Sequence, residues 1–235
     1  MTPSETPSIS EVDPLGQAYL DYWRQENDEI IRVHCTLGDP VDVPASWFFR
    51  GPEFPEIEAV ALDLCKGKVM DLGAGVGSHA LELQVRKHEV VALDILPEAV
   101  DVMKGRGVKH PICGDLHSPD LPTVDTILML MNGIGAVSDI NGLDRFLAGL
   151  GERLRPEGTL IFDSTDLGWE FGDEAARCKG EVEFTVEYRG RKGSSFPWLF
   201  LDQETLVERA LHAGLTGEVL YQGECGHYLA CIHAG

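Results

Sequence analysis

Lysine is scarce in this chain, with seven among 235 residues, and the 19 basic residues face 39 acidic ones for a formal charge of −20. A field of that size repels nucleic acid and anionic membranes. With no basic patch along the sequence, a tRNA, rRNA or DNA substrate is not expected. The same composition is what a protein working in high salt shows, because screening removes its self-repulsion; the plainer reading is an acidic cytosolic enzyme. No apolar run reaches the roughly 18 residues that a membrane span requires. The opening Met-Thr-Pro-Ser-Glu-Thr-Pro-Ser has neither the basic start nor the apolar stretch of a secretory signal, so a cytoplasmic location is expected. Six cysteines (35, 65, 113, 178, 225 and 231) occur without Cys-x-x-Cys spacing, which argues for reduced thiols over a disulfide framework. Cys225, His227, Cys231 and His233 would share one strand face, but a straight strand spreads them too far to enclose an ion, and no metal is expected. There is no internal repeat.

What the chain does have is a corner. Lys68 to Ala80 reads Lys-Val-Met-Asp-Leu-Gly-Ala-Gly-Val-Gly-Ser-His-Ala: an apolar strand, three alternating glycines, then a helical pattern through Leu81 and Leu83. Glycines there permit positive φ and remove Cβ atoms, so a ligand can lie on bare backbone at a helix N-terminus. Dinucleotide binders usually show Gly-x-Gly-x-x-Gly at such a turn. Here the pattern is Asp-x-Gly-x-Gly-x-Gly, with Asp71 at the strand's end. A carboxylate at that point suits a ligand bearing an ammonium and a sulfonium better than a pyrophosphate.

At these residues the chain resembles the class I S-adenosylmethionine (SAM)-dependent methyltransferases. The resemblance implies a Rossmann-like, seven-stranded, mostly parallel α/β sheet with helices on both faces and an antiparallel last strand. It also implies SAM as cofactor, seated on Asp71, Gly73, Ala74 and Gly75. Glu89 to Leu93 forms a second apolar strand ending in Asp94, 19 positions beyond Gly75. A carboxylate there accepts from ribose hydroxyls in dinucleotide and SAM binders alike; capping the helix that starts at Pro97 would serve the same position. A third short strand, Pro111 to Gly114, ends in Asp115. In the resembled family this Asp accepts from the adenine amine and the next N–H (Leu116) donates to a ring nitrogen; Ile95, after Asp94, is a further cofactor-binding candidate. Asp125 to Met131 is almost purely apolar, as a central parallel strand must be, and runs into Asn132-Gly133-Ile134-Gly135. The family places methionine-side and substrate-side residues here, which makes Met131 and Asn132 candidates. The Asn/Asp-Pro-Pro-Tyr/Phe of enzymes acting on DNA or protein amino groups is missing, and the loop is similar to that of small-amine methyltransferases. Leu-Arg-Pro-Glu-Gly before the strand 159–162 also looks like the family.

Around this unit, residues 1–13 read as a disordered tail and 14–66 as a helical lid segment. The lid segment holds a short helix from Leu15 and an aromatic cluster, Trp47, Phe48 and Phe49, beside Arg50. The cluster would plug the core's end or cover the cofactor, and in the resembled family an arginine there commonly pairs with the methionine carboxylate, which makes Arg50 the candidate. Asn141 to Leu154 has the spacing of one helix. Alternation at Val182, Phe184, Val186 and Tyr188 predicts a hairpin on the sheet's rim over 180–201 within the domain 67–235, and Asp202 caps a further helix. The function implied is methyl transfer to a small-molecule acceptor, possibly an amine. The alternatives are a non-catalytic SAM-binding module and a nicotinamide-dependent oxidoreductase. Asp163, Asp166, Tyr188 and His227 could each serve as a general base, and the sequence does not rank them.

Overall fold

A computed structural model gives the fold and describes residues 12–25 and 28–233, the Gln25 side chain excepted. Apart from Val12 and Asp13, the expected tail lies outside the described residues. In chain order come α1 (Pro14–Gln25), β1 (Ile30–Cys35), β2 (Val41–Pro44), a 3₁₀ turn (Ala45–Phe49) and α2 (Glu56–Leu64). The central unit follows as β3 (Lys68–Leu72), α3 (Ser78–Val85), β4 (Glu89–Asp94), α4 (Pro97–Arg106), β5 (Pro111–Cys113) and β6 (Val124–Met129). Next are a second 3₁₀ turn (Gly133–Val137), α5 (Ile140–Ala148), α6 (Leu150–Arg153), β7 (Leu154–Thr165), α7 (Gly168–Phe171) and α8 (Asp173–Cys178). The chain closes with β8 (Glu181–Tyr188), β9 (Arg191–Lys192), β10 (Phe196–Leu199), α9 (Gln203–His212), β11 (Thr216–Gln222) and β12 (His227–His233).

Seven strands form one sheet in the order β11-β12-β7-β6-β3-β4-β5. β3 to β7 run parallel, β12 lies antiparallel to β7, and β11 is antiparallel to β12. Its central strands are mostly apolar on both sides because both faces are covered, with Asp71 and Thr126 as buried polar exceptions. Val69, Leu128 and Ile161 point to one side and pack with Ala61, Leu83 and Met103 of α2, α3 and α4. Their neighbours Met70, Ile127 and Phe162 point to the other, against Leu143, Phe146 and Leu147 of α5 and Leu206 of α9. Asp139 and Asp202 start α5 and α9 by accepting the Gly142 and Thr205 N–H groups at 2.6 and 2.8 Å.

Two segments differ from the sequence expectation. The predicted helix 141–154 breaks at Gly149, and Leu154 already pairs with Val124 as the first residue of β7. Pro156 cannot continue a helix, and Glu157 at φ +65° marks the irregular stretch before Thr159. The 181–199 hairpin does not extend the seven-stranded sheet. It pairs with β1, giving a second, antiparallel sheet in the order β10-β8-β1-β2 with β9 beside β8. The reason is apolar pairing across strands: Ile31 lies opposite Tyr188 and Val33 opposite Val186, with Ala18 of α1 packed on the same cluster. Arg189 ties this sheet to α1 and β1 through Asp21 (2.8 Å) and Glu29 (2.5 Å).

Candidate active site

The glycine corner forms where β3 leaves the sheet. The Gly73 and Ala74 N–H groups both donate to the Leu93 carbonyl at 2.9 Å, which folds the chain back over the end of β4. Gly73 has φ +73°, and a Cβ there would meet nothing within 4 Å, so the backbone is open on that side. At Gly77 (φ +82°) the demand is different: a Cβ would lie 2.7 Å from Val108 Cγ2, so this glycine lets α3 seat on the end of α4.

Two carboxylates flank the corner. Asp71 is 1% exposed, and its Oδ2 has no hydrogen-bond partner among the described residues. Burial pushes its pKa up to about 6, against the pull of His79 and the Ala80 N–H. Asp94 accepts the Gly75 N–H on Oδ2 at 2.7 Å and the Leu96 N–H on Oδ1 at 2.9 Å. Burial raises its pKa to about 6 as well; those two N–H groups oppose the shift and the charge of Asp71 adds to it. Asp94 thus braces the corner by both oxygens. Beyond it Ile95 stands 66% exposed. The Gly114 N–H donates to the Asp94 carbonyl at 3.0 Å, which sets Asp115 beside this end of β4. Asp115 is exposed and accepts the His117 N–H at 2.6 Å, while Leu116 packs half-buried against the core.

A lid from the N-terminal segment covers the corner. Tyr19 of α1 is buried beside Gly75, its ring edge-on to Phe48 and Phe49 at 5.1 and 6.4 Å. Burial, then the charges of Asp94 and Asp13, hold its hydroxyl well above the ordinary pKa. Arg106 fastens the lid by donating to the Val76 carbonyl (2.7 Å), Ser78 Oγ (3.1 Å) and the Phe49 carbonyl (3.5 Å), with its guanidinium over the Phe49 ring. Sequence reasoning missed Tyr19 and Arg106 as site neighbours. Their only signals were an aromatic on the apolar side of α1 and a basic residue in the last turn of α4. Arg50 is engaged elsewhere: it pairs with buried Glu58, donates to the Trp47 carbonyl at 2.7 Å and lies over the Trp47 ring. Glu58 also bonds His79 Nε2 at 2.7 Å. Burial opposes the charge on Glu58, but His79 and Arg50 together hold its pKa below the usual carboxylate range.

The fourth strand end carries a strained loop. Met131 (φ +64°) and Asn132 (φ +55°) are consecutive non-glycine residues in the left-handed region, a conformation that costs about 1–3 kcal/mol each unless its surroundings enforce it. Here they do: the Asn132 N–H donates to Asp163 Oδ1 at 2.8 Å, and Thr165 Oγ1 donates to Asn132 Oδ1 at 2.9 Å. The other oxygen of Asp163 holds His227 Nε2 at 2.7 Å. Of the four residues that could act as a base, the structure brings Asp163 and His227 together. Asp166 accepts the Gly168 N–H at 2.8 Å, and the Tyr188 hydroxyl donates to Asp21 in the second sheet.

Carboxylates at three successive strand ends, a glycine corner under aromatic side chains and a braced fourth loop thus meet at the carboxyl edge of a parallel α/β sheet, where such folds hold their ligands. Comparison with known proteins narrows this. A family profile described as a methyltransferase domain matches residues 69–158. Among solved structures, a SAM-dependent methyltransferase from Bacteroides fragilis in complex with S-adenosyl-L-homocysteine (SAH) is 36% identical over 94% of both chains, with a TM-score of 0.87. The CcbJ methyltransferase from Streptomyces caelestis (14% identity, 77% of this chain and 97% of that one, TM-score 0.61) shares the fold. So does CalS10, an amino pentose methyltransferase from Micromonospora echinaspora (17%, 81% and 95%, TM-score 0.56). No curated protein matches the chain by sequence. The chain belongs to the SAM-dependent methyltransferases, and its cofactor is SAM. The residues present fit that group, because a buried carboxylate oxygen without a partner and bare glycine backbone two positions further on are what a cationic amino-acid tail requires. No helix among the described residues is long and apolar enough to cross a membrane.

Proposed function

We propose that this enzyme methylates a small-molecule acceptor, an amine being one candidate, between the carboxyl ends of the parallel strands and the second sheet. When bound, SAM supplies a methyl group on a sulfonium whose departure leaves a neutral thioether. The protein's work is alignment and exclusion of water, which can supply roughly 7–11 kcal/mol of barrier reduction. In this reading Asp71, Gly73, Ala74 and Gly75 receive the amino-acid tail, Asp94 and Ile95 the ribose and one adenine face, and Asp115 and Leu116 the adenine edge. Met131 and Asn132 border the reacting end. A contact from Arg50 to the methionine carboxylate requires it to leave Glu58, so Arg50 enters this set only through a rearrangement of the lid. The charge of −20 and the narrow, lidded corner favour a small neutral or cationic acceptor over nucleic acid.

The observation that carries this reading is Asp71 Oδ2, buried and unpartnered two positions before the open backbone of Gly73. Calorimetric titration of the wild type and Asp71→Asn with SAH tests it. The variant should bind roughly tenfold or more weakly, since a charge-assisted hydrogen bond contributes about 1.5–3 kcal/mol; equal affinities would refute the pose.

A further inference from the structure

The pair formed by Asp163 and His227 has the geometry of an acid–base device. Asp163 is 1% exposed and both its oxygens are engaged, one by the Asn132 N–H and one by His227 Nε2. A carboxylate only accepts, so Nε2 carries a hydrogen toward Asp163, and in the neutral imidazole the lone pair then lies on Nδ1. The imidazole is about one-third exposed, at 32%, and His227 opens β12 opposite Thr165, the residue whose hydroxyl holds Asn132. The groups around it are Asp163 from β7, Asp166, whose N–H donates to the Gly226 carbonyl, and the Glu224–Cys225 turn, whose Glu224 carbonyl accepts the His227 N–H. Among the described residues no lysine or arginine is ion-paired or hydrogen-bonded to Asp163 or His227.

An aromatic wall begins one turn past Asn132. The Gly135 N–H donates to the Asn132 carbonyl at 3.0 Å, so the two residues bracket a single 3₁₀ turn, a rise of about 6 Å. Gly135 lies directly under Trp198, whose Nε1 would sit 2.0 Å from a Cβ at that position. Trp198 continues into a cluster of half-buried rings, Phe184 and Phe196 at 6.1 Å and Phe200 packed on Phe184 at 6.0 Å. Such rings stack flat molecules and attract cationic ones.

We propose that His227, held by Asp163, removes the acceptor's proton, and that the acceptor is a flat aromatic molecule whose nucleophile arrives protonated, as a phenolic hydroxyl or an arylalkyl ammonium. The inference rests on the methyl-transfer site proposed above. The acceptor's oxygen or nitrogen lone pair forms the bond to the methyl carbon, the electron pair of the broken carbon–sulfur bond remains on sulfur, and the acceptor's proton passes to Nδ1. Asp163 balances the imidazolium until water takes that proton. Asn132 connects this step to the strained loop, so Asp163 is a positioning residue for the base and the loop together.

Two measurements on the full chain test this. Nitrogen NMR of histidine-labelled protein saturated with SAH should show the neutral His227 ring carrying its hydrogen on Nε2 and not on Nδ1, and Asp163→Asn should mix the tautomers. A panel of phenols and arylalkylamines with methyl-labelled SAM should include at least one methylated member, and which arm responds separates the two acceptor types. On that member His227→Gln should lower kcat by about 10²–10⁴-fold and alter the shape of the pH profile. Added imidazole should restore part of the rate to His227→Ala, and SAH affinity should stay within twofold in both variants. A neutral wild-type ring carrying its hydrogen on Nδ1, a kcat or pH profile unmoved in His227→Gln, or no transfer to any panel member while SAH binds would overturn the proposal. Failure of the wild type to bind SAH would remove the underlying site as well.

Discussion

Cofactor affinity should rise steeply between pH 5 and pH 7. Asp71 and Asp94 both titrate near 6 in the free protein, raised first by burial, and each is more useful to a cationic, hydroxyl-rich ligand when ionised. A group with a midpoint near 6 is about one-tenth ionised at pH 5 and nine-tenths ionised at pH 7, which gives about tenfold in affinity per group. Two such groups give about 100-fold. Because the charge of Asp71 raises the Asp94 pKa, the pair titrates as a unit and the curve is broader than for independent sites. The opposite sign applies to stability. A carboxyl whose folded pKa lies above its unfolded value near 3.9 stabilises the protein fully below that value, and the contribution is lost as pH rises through 6, about 3 kcal/mol for Asp71. The free protein should therefore melt at a lower temperature at pH 7 than at pH 5 on account of these groups, while SAM binds more tightly. Calorimetry with SAM at pH 5, 6, 7 and 8, in two buffers of different ionisation enthalpy, measures both the affinity and the protons released. About one proton should leave on binding at pH 6, and Asp71→Asn should keep only about tenfold of the pH dependence. An affinity flat within twofold from pH 5 to pH 7 would refute the reasoning, because it would mean that neither carboxyl changes its environment when the ligand arrives.

Asp94→Ala should weaken SAH binding by about 1–3 kcal/mol in the same titration, since it removes the acceptors proposed for the ribose and also the brace on the Gly75 and Leu96 N–H groups. Phe162→Ala, at a fully buried position between β6 and β12, should destabilise the protein by about 3–5 kcal/mol in urea unfolding while leaving the SAH affinity of the folded fraction unchanged. If the acidic surface is an adaptation to salt, the melting temperature should climb between low and molar KCl. A flat or falling trend would leave the charge of −20 as ordinary acidity.

The sheet and the positions of the residues at its carboxyl edge were legible in the sequence because their signals are local. Asp71, Asp94 and Asp115 each end a short apolar strand, and Gly73, Gly75 and Gly77 announce a turn whose φ values only glycine adopts easily. Asp139 and Asp202 start helices by the usual side-chain caps. What escaped was long-range. Nothing near Val182–Tyr188 says that its partner is Ile31–Cys35 and not the rim of the main sheet, since an alternating strand fits any apolar edge. Arg50 looked free because its neighbours in sequence are aromatic, yet Glu58, eight positions on, takes its charge. His227 and Asp163, 64 positions apart, could not be matched by spacing at all.

The second sheet joins β1, near the start of the chain, to β8 well past its middle, and the Arg189–Glu29 ion pair closes a separation of 160 positions. In the proposed reading, the face that meets the acceptor is therefore written in two distant passages that must be edited in concert. Grafting one loop from a relative would leave its counterpart mismatched, and a chain shortened past β2 would strand the Phe184–Trp198 rings without a backing. Changes of acceptor in this lineage should appear as paired substitutions in these passages, while the cofactor half drifts independently.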